Sequence, residues 1–380
     1  MLLEIYEKST RKKVDIIRSW SYVQYTKENS GEGAFTINVA TSDKSLQYLV
    51  KHNMILFEEG VMGVIKSRRK EREKDSYFII EGEMLSCVLE YRTFKTTQTF
   101  NGKLADIVKG MLNNNFINPS ETNRKISLLV LSTQEGAFPE SDNEYSIQYT
   151  GKKVSYGIQD ILQNESWGYD VVPVLAVASD EQPENLVGIE FSLIKPVDHT
   201  MENTEDNLPV VFSYKNGNMK NISYSEDATA YANVMVVAGE GEGTGRTVVE
   251  VGDTEATDWY RIEEYVDARD LQKQTDSETT LTDEQYNELL IQRGRKKQEE
   301  HISFVSLSGT VISSSTLFKY GVDYKLGDFV SVIDESMGLI SDVQITSVSK
   351  YHTKSSIILD IGFGYEKSTV RSLLRKDGVI

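Results

Sequence analysis

Residues 320 to 340 read Tyr-Gly-Val-Asp-Tyr-Lys-Leu-Gly-Asp-Phe-Val-Ser-Val-Ile-Asp-Glu-Ser-Met-Gly-Leu-Ile. Leu326-Gly327-Asp328 is a turn signal, because glycine tolerates positive φ and an aspartate can hydrogen-bond back into its own turn. The alternation that follows, Phe329 to Val332, is that of a strand with one covered face, and a second turn at Asp334 to Ser336 returns the chain through Met337-Gly338-Leu339-Ile340. The stretch predicts a hairpin.

The chain carries the same plan near its start. Asn53-Met-Ile-Leu-Phe57, a turn at Glu58-Glu59-Gly60, and Val61-Met62-Gly63-Val64-Ile65 repeat it, with Met-Gly-aliphatic-Ile in both copies. A polar stretch follows each hairpin, at Lys66 to Asp75 and Ser341 to Lys354. Each then leads to an apolar strand ending in glycine, Tyr77 to Gly82 and Ile357 to Gly362. Self-similarity of this kind points to two copies of one β module at the two ends of the chain.

At 380 residues the chain exceeds one core and fits about two to four domains. A hydrophobic content of 39% with 9% aromatic residues is globular, and no apolar run reaches membrane-spanning length. Met1-Leu-Leu-Glu-Ile-Tyr-Glu carries acids and no basic flank, so it reads as a first strand rather than a signal peptide. A single cysteine, Cys87, excludes an internal disulfide and a thiolate metal cluster, and its apolar neighbours make it a buried structural thiol. With 58 acids against 41 bases the formal charge is −17, which argues against gripping nucleic acid or an anionic membrane.

Between the modules the period changes. Leu104, Ile107, Val108, Met111 and Leu112 recur at helical spacing, with Asn113 to Asn115 closing that helix. A strand at Ile126 to Leu131, a helix at Val154 to Leu162 and a strand at Trp167 to Val174 complete an α/β unit. Ser42 is read as the cap of a short helix over Asp43 to His52. Lys66 to Lys74, diluted by Glu71, Glu73 and Asp75, reads as a solvated hairpin tip. Pro209 to Phe212, Met219 to Tyr224 and Ala232 to Ala238 return to strand chemistry. Asp258 to Leu271 is helix-compatible, and Thr282 to Glu300 is a charged helix with apolar Tyr286, Leu289 and Leu290, capped by Thr282 with Gln285 reaching back.

The search for catalysis is empty. Gly239 to Gly245 places glycines at alternate positions with Glu240 and Glu242 between them and no Lys-Ser/Thr after, unlike a phosphate loop, so it is read as an inter-domain crossover and no nucleotide is expected. His52, His199, His301 and His352 are scattered, and no metal or other cofactor is expected. Asp267 with Asp270, and Glu263 with Glu264, are carboxylate pairs of the sort that acid-rich chains form by chance.

Four ordered segments carry a family likeness. Asn233 to Gly243 with Arg246, Arg261-Ile-Glu-Glu-Tyr-Val-Asp-Ala-Arg-Asp-Leu271, Thr282 to His301 and Tyr320 to Asp328 resemble the pattern of long-tailed phage tail-hub and baseplate-hub proteins, over most of residues 1 to 372. The resemblance implies a β-rich α+β fold with two tail-tube-like β-barrels and an α/β portion, assembled as a homotrimeric ring in the virion tail tip after synthesis in the bacterial cytoplasm. It implies tail-tube or distal-tail protein on one side, spike, fibre or receptor-binding protein on the other, tape-measure protein, and passing DNA, with neither an enzymatic activity nor a stable membrane anchor. On that basis residues 1–97 form the first barrel, 98–206 with 241–301 the α/β domain, 207–240 with 302–372 the second barrel, and 373–380 a tail. The interface candidates are Asn53, Arg246, Arg261, Asp267, Arg269, Tyr320, Asp323, Tyr324, Gly327 and Asp328. Basic residues Lys367, Arg371, Arg375 and Lys376 suit a docking strand as well as a solvated tail. Two other classes remain open: an acidic cell-wall hydrolase built around the acids near Trp167 and Trp259, and the hub-spike subunit of a contractile injection machine.

Overall fold

The computed structural model describes residues 1–71, 77–176, 184–274, 280–301, 304–311, 317–336, 338–353 and 356–364. Its N-terminal quarter is seven strands: β1 (Leu3–Tyr6), β2 (Lys13–Ile17), β3 (Trp20–Glu28), β4 (Ala34–Ala40), β5 (Met54–Glu58), β6 (Val61–Glu71) and β7 (Tyr77–Met84). Alternation sends Val23 and Tyr25 of β3 inward with Phe35, Ile37 and Val39 of β4, the period-two burial of a sheet with one covered face. Asp43, rather than Ser42, caps the turn after β4, accepting from the Ser45 amide at 2.9 Å and from the Arg18 and Ser19 amides at 2.9 and 2.6 Å. One 3-10 turn, Lys44–Gln47, stands where a helix to His52 was expected. The chain must be back in the sheet by Met54, and His52 makes that reversal at φ 74. Lys66 to Lys70 lie within β6 beside β7, so they are strand residues and not a tip, while residues 72–76 fall outside the described set.

The middle of the chain holds β8 (Gln98–Lys103), α1 (Leu104–Leu112), β9 (Leu129–Leu131), β10 (Glu144–Tyr149), α2 (Val154–Gln163), β11 (Gly168–Ala176) and β12 (Asn185–Ile194). The apolar stripe of α1 is buried against α2, β11 and β12, and this core also takes Met54, Met62 and Val64 from the first module. The α-helix closes at Leu112 with Asn113 as its cap, as expected. The chain continues as a π turn, Asn113–Ile117, because the buried Asn115 amide turns inward and donates to the Met111 carbonyl at 2.9 Å. Cys87 lies in the same core, and burial pushes its thiol above the ordinary value. We expect it to resist dithionitrobenzoate in the native protein and to react within seconds after denaturation, because only the exposed thiolate is a nucleophile; fast labelling of native protein would contradict its burial.

The remaining elements are β13 (Asp198–His199), β14 (Val211–Ser213), β15 (Met219–Asp227), β16 (Val234–Ala238), β17 (Val248–Gly252), β18 (Glu263–Asp267), α3 (Asp283–Glu300), β19 (Phe304–Val311), β20 (Phe329–Asp334), β21 (Leu339–Thr353) and β22 (Ile357–Phe363). The capping box at Thr282 and Gln285 forms as expected, at 3.2 and 3.0 Å. Three expectations are corrected. Val234–Ala238 is the middle strand of a separate sheet, β17-β16-β18, and not an early strand of the second module. Gly239 to Arg246 is the loop of the β16–β17 hairpin rather than an inter-domain crossover. Asp258 to Leu271 is a 3-10 turn, Asp258–Tyr260, and then β18 instead of helix, because alternation at Glu264 to Val266 suits pairing on β16, with Val266 in the core beneath α3.

The two ends of the chain share one strand order. Neighbours run β3-β4-β7-β6-β5 in the first module and β15-β19-β22-β21-β20 in the second, antiparallel throughout. Even the irregularities recur: the β6–β7 ladder slips between Ile65 and Ser67, and the β21–β22 ladder between Ile345 and Ser347. The copies part at the next place, where β1 joins β5 antiparallel but β13 and β14 join β20 parallel. Neither copy closes into a barrel among the described residues. A ladder between β21 and β3 instead fuses them into one 14-stranded sheet whose path runs from β15 to β2.

Candidate assembly interface

The turn that enters each hairpin is built alike. His52 donates its amide to Ile65 O at 2.8 Å, and the Ile65 amide donates to Asn53 O at 2.9 Å. In the second copy Gly327 donates to Ile345 O at 2.9 Å, and the Ile345 amide donates to Asp328 O at 2.9 Å. His52 and Gly327 both hold positive φ, 74 and 98. The side chains after them also match: Asn53 Oδ1 accepts from the Lys8 amide at 3.1 Å, and Asp328 Oδ1 from the Val197 amide at 3.0 Å. One part of the sequence alignment is corrected. Gly63 lies inside β6, and the turn glycine that corresponds to Gly338 (φ 64) is Gly60 (φ 74).

Asn53, Tyr324, Gly327 and Asp328 are buried within the chain, and Tyr320 and Asp323 are half-buried. Tyr320 packs edge-on against Tyr324 at 5.7 Å, and burial pushes its hydroxyl up to about 12. Asp323 accepts from the Lys319 amide at 2.6 Å. Burial raises the Asp328 carboxyl, against the opposing effect of the Val197 and Lys325 amides. These six residues shape the turns.

Where the modules meet, Lys350 of β21 pairs with Glu58 at the end of β5, and its ammonium stands 5.8 Å from the ring of Tyr25 on β3. Burial drives the Glu58 carboxyl up, and the Lys350 ammonium outweighs it, leaving Glu58 below its ordinary value. Thr26 and Ser349 hydroxyls meet at 2.7 Å, and Lys27 reaches Asp170 at 2.8 Å. None of this junction was foreseen. Its partners are 143 to 323 residues apart, and the only signal was the repeat itself.

Arg246, Arg261, Asp267 and Arg269 gather elsewhere, around the sheet β17-β16-β18. One face of that sheet carries Met235, Val237 and Val251 beneath α3. The other carries Val248, Glu250, Glu263, Tyr265 and Asp267, with Trp259 and Tyr260 at its rim 87% and 83% exposed. Arg246 donates to the Tyr265 hydroxyl at 2.7 Å, and Arg261 joins Glu250 and Glu263 at 2.8 and 2.6 Å. Arg269 grips Asp267 and holds its carboxyl at about 2. Replacing Arg269 with alanine should raise that carboxyl toward 3.8, the backbone amide at 269 still holding it somewhat below, read by NMR titration. The small stabilisation it gives is present above 3.8 and is lost as pH falls toward 2; an unmoved titration would contradict the pairing.

A cleft of about 600 Å³ between α2, β10 and α3 contains acids, but they are engaged: Arg293 bonds both oxygens of Asp270 at 3.0 Å, and Lys296 pairs with Asp160. Trp167 is core, not a cleft wall. The described residues bring together no three metal-ligating side chains, and no described helix is long and apolar enough to cross a membrane.

The chain is thus β-rich with few helices, two modules of one strand order and an exposed aromatic and ion-paired face. The chain belongs to the family described as Siphovirus ReqiPepy6 Gp37-like protein, whose model matches residues 2–365. Its fold is similar to that of prophage tail protein gp18 from Listeria monocytogenes EGD-e, at 15% identity and a TM-score of 0.52, covering 99% of this chain and 98% of that one. The tail protein from Neisseria meningitidis MC58 has 14% identity, a TM-score of 0.51 and 96% coverage of both chains. The 43 kDa tail protein of prophage MuSo2 from Shewanella oneidensis has 12% identity and a TM-score of 0.51, covering 96% and 98%. Comparison with curated proteins finds no match. The sequence resemblance and the family agree on a protein of long-tailed phage.

Proposed function

We propose that the chain is the hub of a long-tailed phage tail tip, three copies forming a ring that continues a hexameric tail tube and passes DNA outward. The observation that carries this is the duplicated module. Three chains with two matching modules each present six similar faces, which reconciles a sixfold tube with a threefold tip. The proposed division keeps 1–97 as the first hub domain and, of the 207–240 with 302–372 expected for the second, the strands β14, β15 and β19 to β22, with the helical middle outside the ring. The side of β15 away from β19, which no described strand covers, suits closure through a neighbouring chain, since unpaired edges are otherwise a hazard. A charge of −17 suits a wall that DNA slides past. Tube or distal-tail protein would bind one rim, and spike, fibre or receptor-binding protein the other, with tape-measure protein in the bore. Light scattering tests the ring: three 42.9 kDa chains, about 129 kDa, support it, and a strict monomer at high concentration overturns it.

A further inference from the structure

The junction inside the chain dictates the junction between chains. Beyond Ile345, β21 is flanked on one side by β22 and on the other by β3, with Ser347 opposite Glu28, Val348 opposite Lys27, Lys350 opposite Tyr25 and Tyr351 opposite Gln24. Ile65 holds the place of Ile345, as the matching turn bonds and matching slips require, so Ser67 to Glu71 correspond to Ser347 to Tyr351. On the side where β21 takes β3, the β6 ladder with β5 ends at Val64, and no described strand follows.

The missing strand has a counterpart at the far end of the same sheet. β15 occupies in the second copy the place that β3 has in the first, and among described strands only β19 pairs with it. Gln24 faces Thr36, which faces Glu81, and Glu81 faces Ser67. Ser223 faces Ser308, which faces Gly362, and Gly362 faces Ser347. Ser223 therefore holds the register place of Gln24, Tyr224 of Tyr25, Glu226 of Lys27 and Asp227 of Glu28. The intrachain pair of Lys350 with Tyr25 reappears in sequence as Lys70 with Tyr224. Basic Arg68 falls opposite acidic Glu226, where opposite charges on facing strands attract.

We propose that Ser67–Glu71 of β6 pairs antiparallel with Ser223–Asp227 of β15 from a second copy of this chain, Arg68 opposite Glu226 and Lys70 opposite Tyr224. This rests on the ring reading above and supplies its interface. Each chain offers one β6 edge and one β15 edge, so pairing is head to tail, and in the ring proposed above three such contacts close it.

The test places cysteines at the facing pair, Arg68→Cys with Glu226→Cys, in the full chain under mild oxidation. The expected product is a covalent trimer on a non-reducing gel. The control Arg68→Cys with Ser223→Cys, three residues out of register, should give little cross-linking, since bridged Cα atoms lie within about 7 Å. A trimer by light scattering without cross-linking at the facing pair, or with equal cross-linking in the control, overturns the pairing and leaves the ring. A monomer in the unmodified chain overturns both. Charge reversal guards against a folding defect: Glu226→Arg should weaken assembly about tenfold or more, and adding Arg68→Glu should restore it to within about threefold. Failure of the second change to rescue a folded, weakened first variant would also overturn it.

Discussion

Replacing Asp328 with alanine is expected to destabilise the protein by about 2–4 kcal/mol, read as a shift in the chemical denaturation midpoint. The carboxylate accepts from the Val197 amide at 3.0 Å and the Lys325 amide at 2.7 Å, at a position 4% exposed, so its loss strands two part-buried donors. Relief of a buried charge offsets part of that cost. Its pH dependence follows from the raised carboxyl. A folded-state value above 3.8 means that stability falls as pH rises from there through the folded value, and Asp328→Asn should flatten that segment of the curve. Asn53→Ala, at the matching place in the first module, should cost about 1–3 kcal/mol through the Lys8 amide and the Tyr48 carbonyl. Variants with no effect at both places would mean the turns do not anchor the modules.

A methyl group at Gly82 should be worse tolerated. A Cβ there would stand 2.2 Å from the Val64 carbonyl oxygen and 2.4 Å from the Phe35 ring. Phe35 also lies over Gly63, so one aromatic ring covers two glycines, offset from each other on the neighbouring strands β6 and β7, in the middle of the first sheet. Neither a backbone oxygen nor a buried ring in the core can retreat cheaply. Gly82→Ala is expected to cost at least about 3 kcal/mol, seen as reduced soluble yield and a lower melting temperature. Wild-type stability in that variant would contradict the packing of β4 on β6 and β7.

Much of the fold was legible because local chemistry and global place agree. Gly327 announced its turn by tolerating φ 98, and Thr282 and Gln285 announced the start of α3. The repeat was visible in the two hairpins, although the shared Met-Gly pair drew the alignment off the true turn glycines, Gly60 and Gly338. What could not be read is non-local. The pairing of β21 with β3 joins residues more than three hundred apart, and it turned two expected barrels into one open sheet. Ala232 to Ala238 is apolar enough to be the middle strand of any sheet, so its sequence could not say which one. At Asp258 to Leu271 abundant acids mimicked a solvated helix, whereas Val266 on the covered face decided for a strand. Of the interface candidates, Arg246, Arg261, Asp267 and Arg269 lie around one sheet with exposed surface, and the hairpin residues turned inward. The basic run at Lys66 to Lys70 was set aside as a solvated tip, yet it lies on the sheet edge that the internal repeat leaves open to a second chain.

Electron microscopy of the purified chain tests the duplicated module most directly. Class averages viewed down the axis should show a threefold ring with a strong sixfold component at the radius of the hub domains. A ring with threefold signal alone at that radius, or no ring at any concentration, would contradict the equivalence of the two modules as tube-building units.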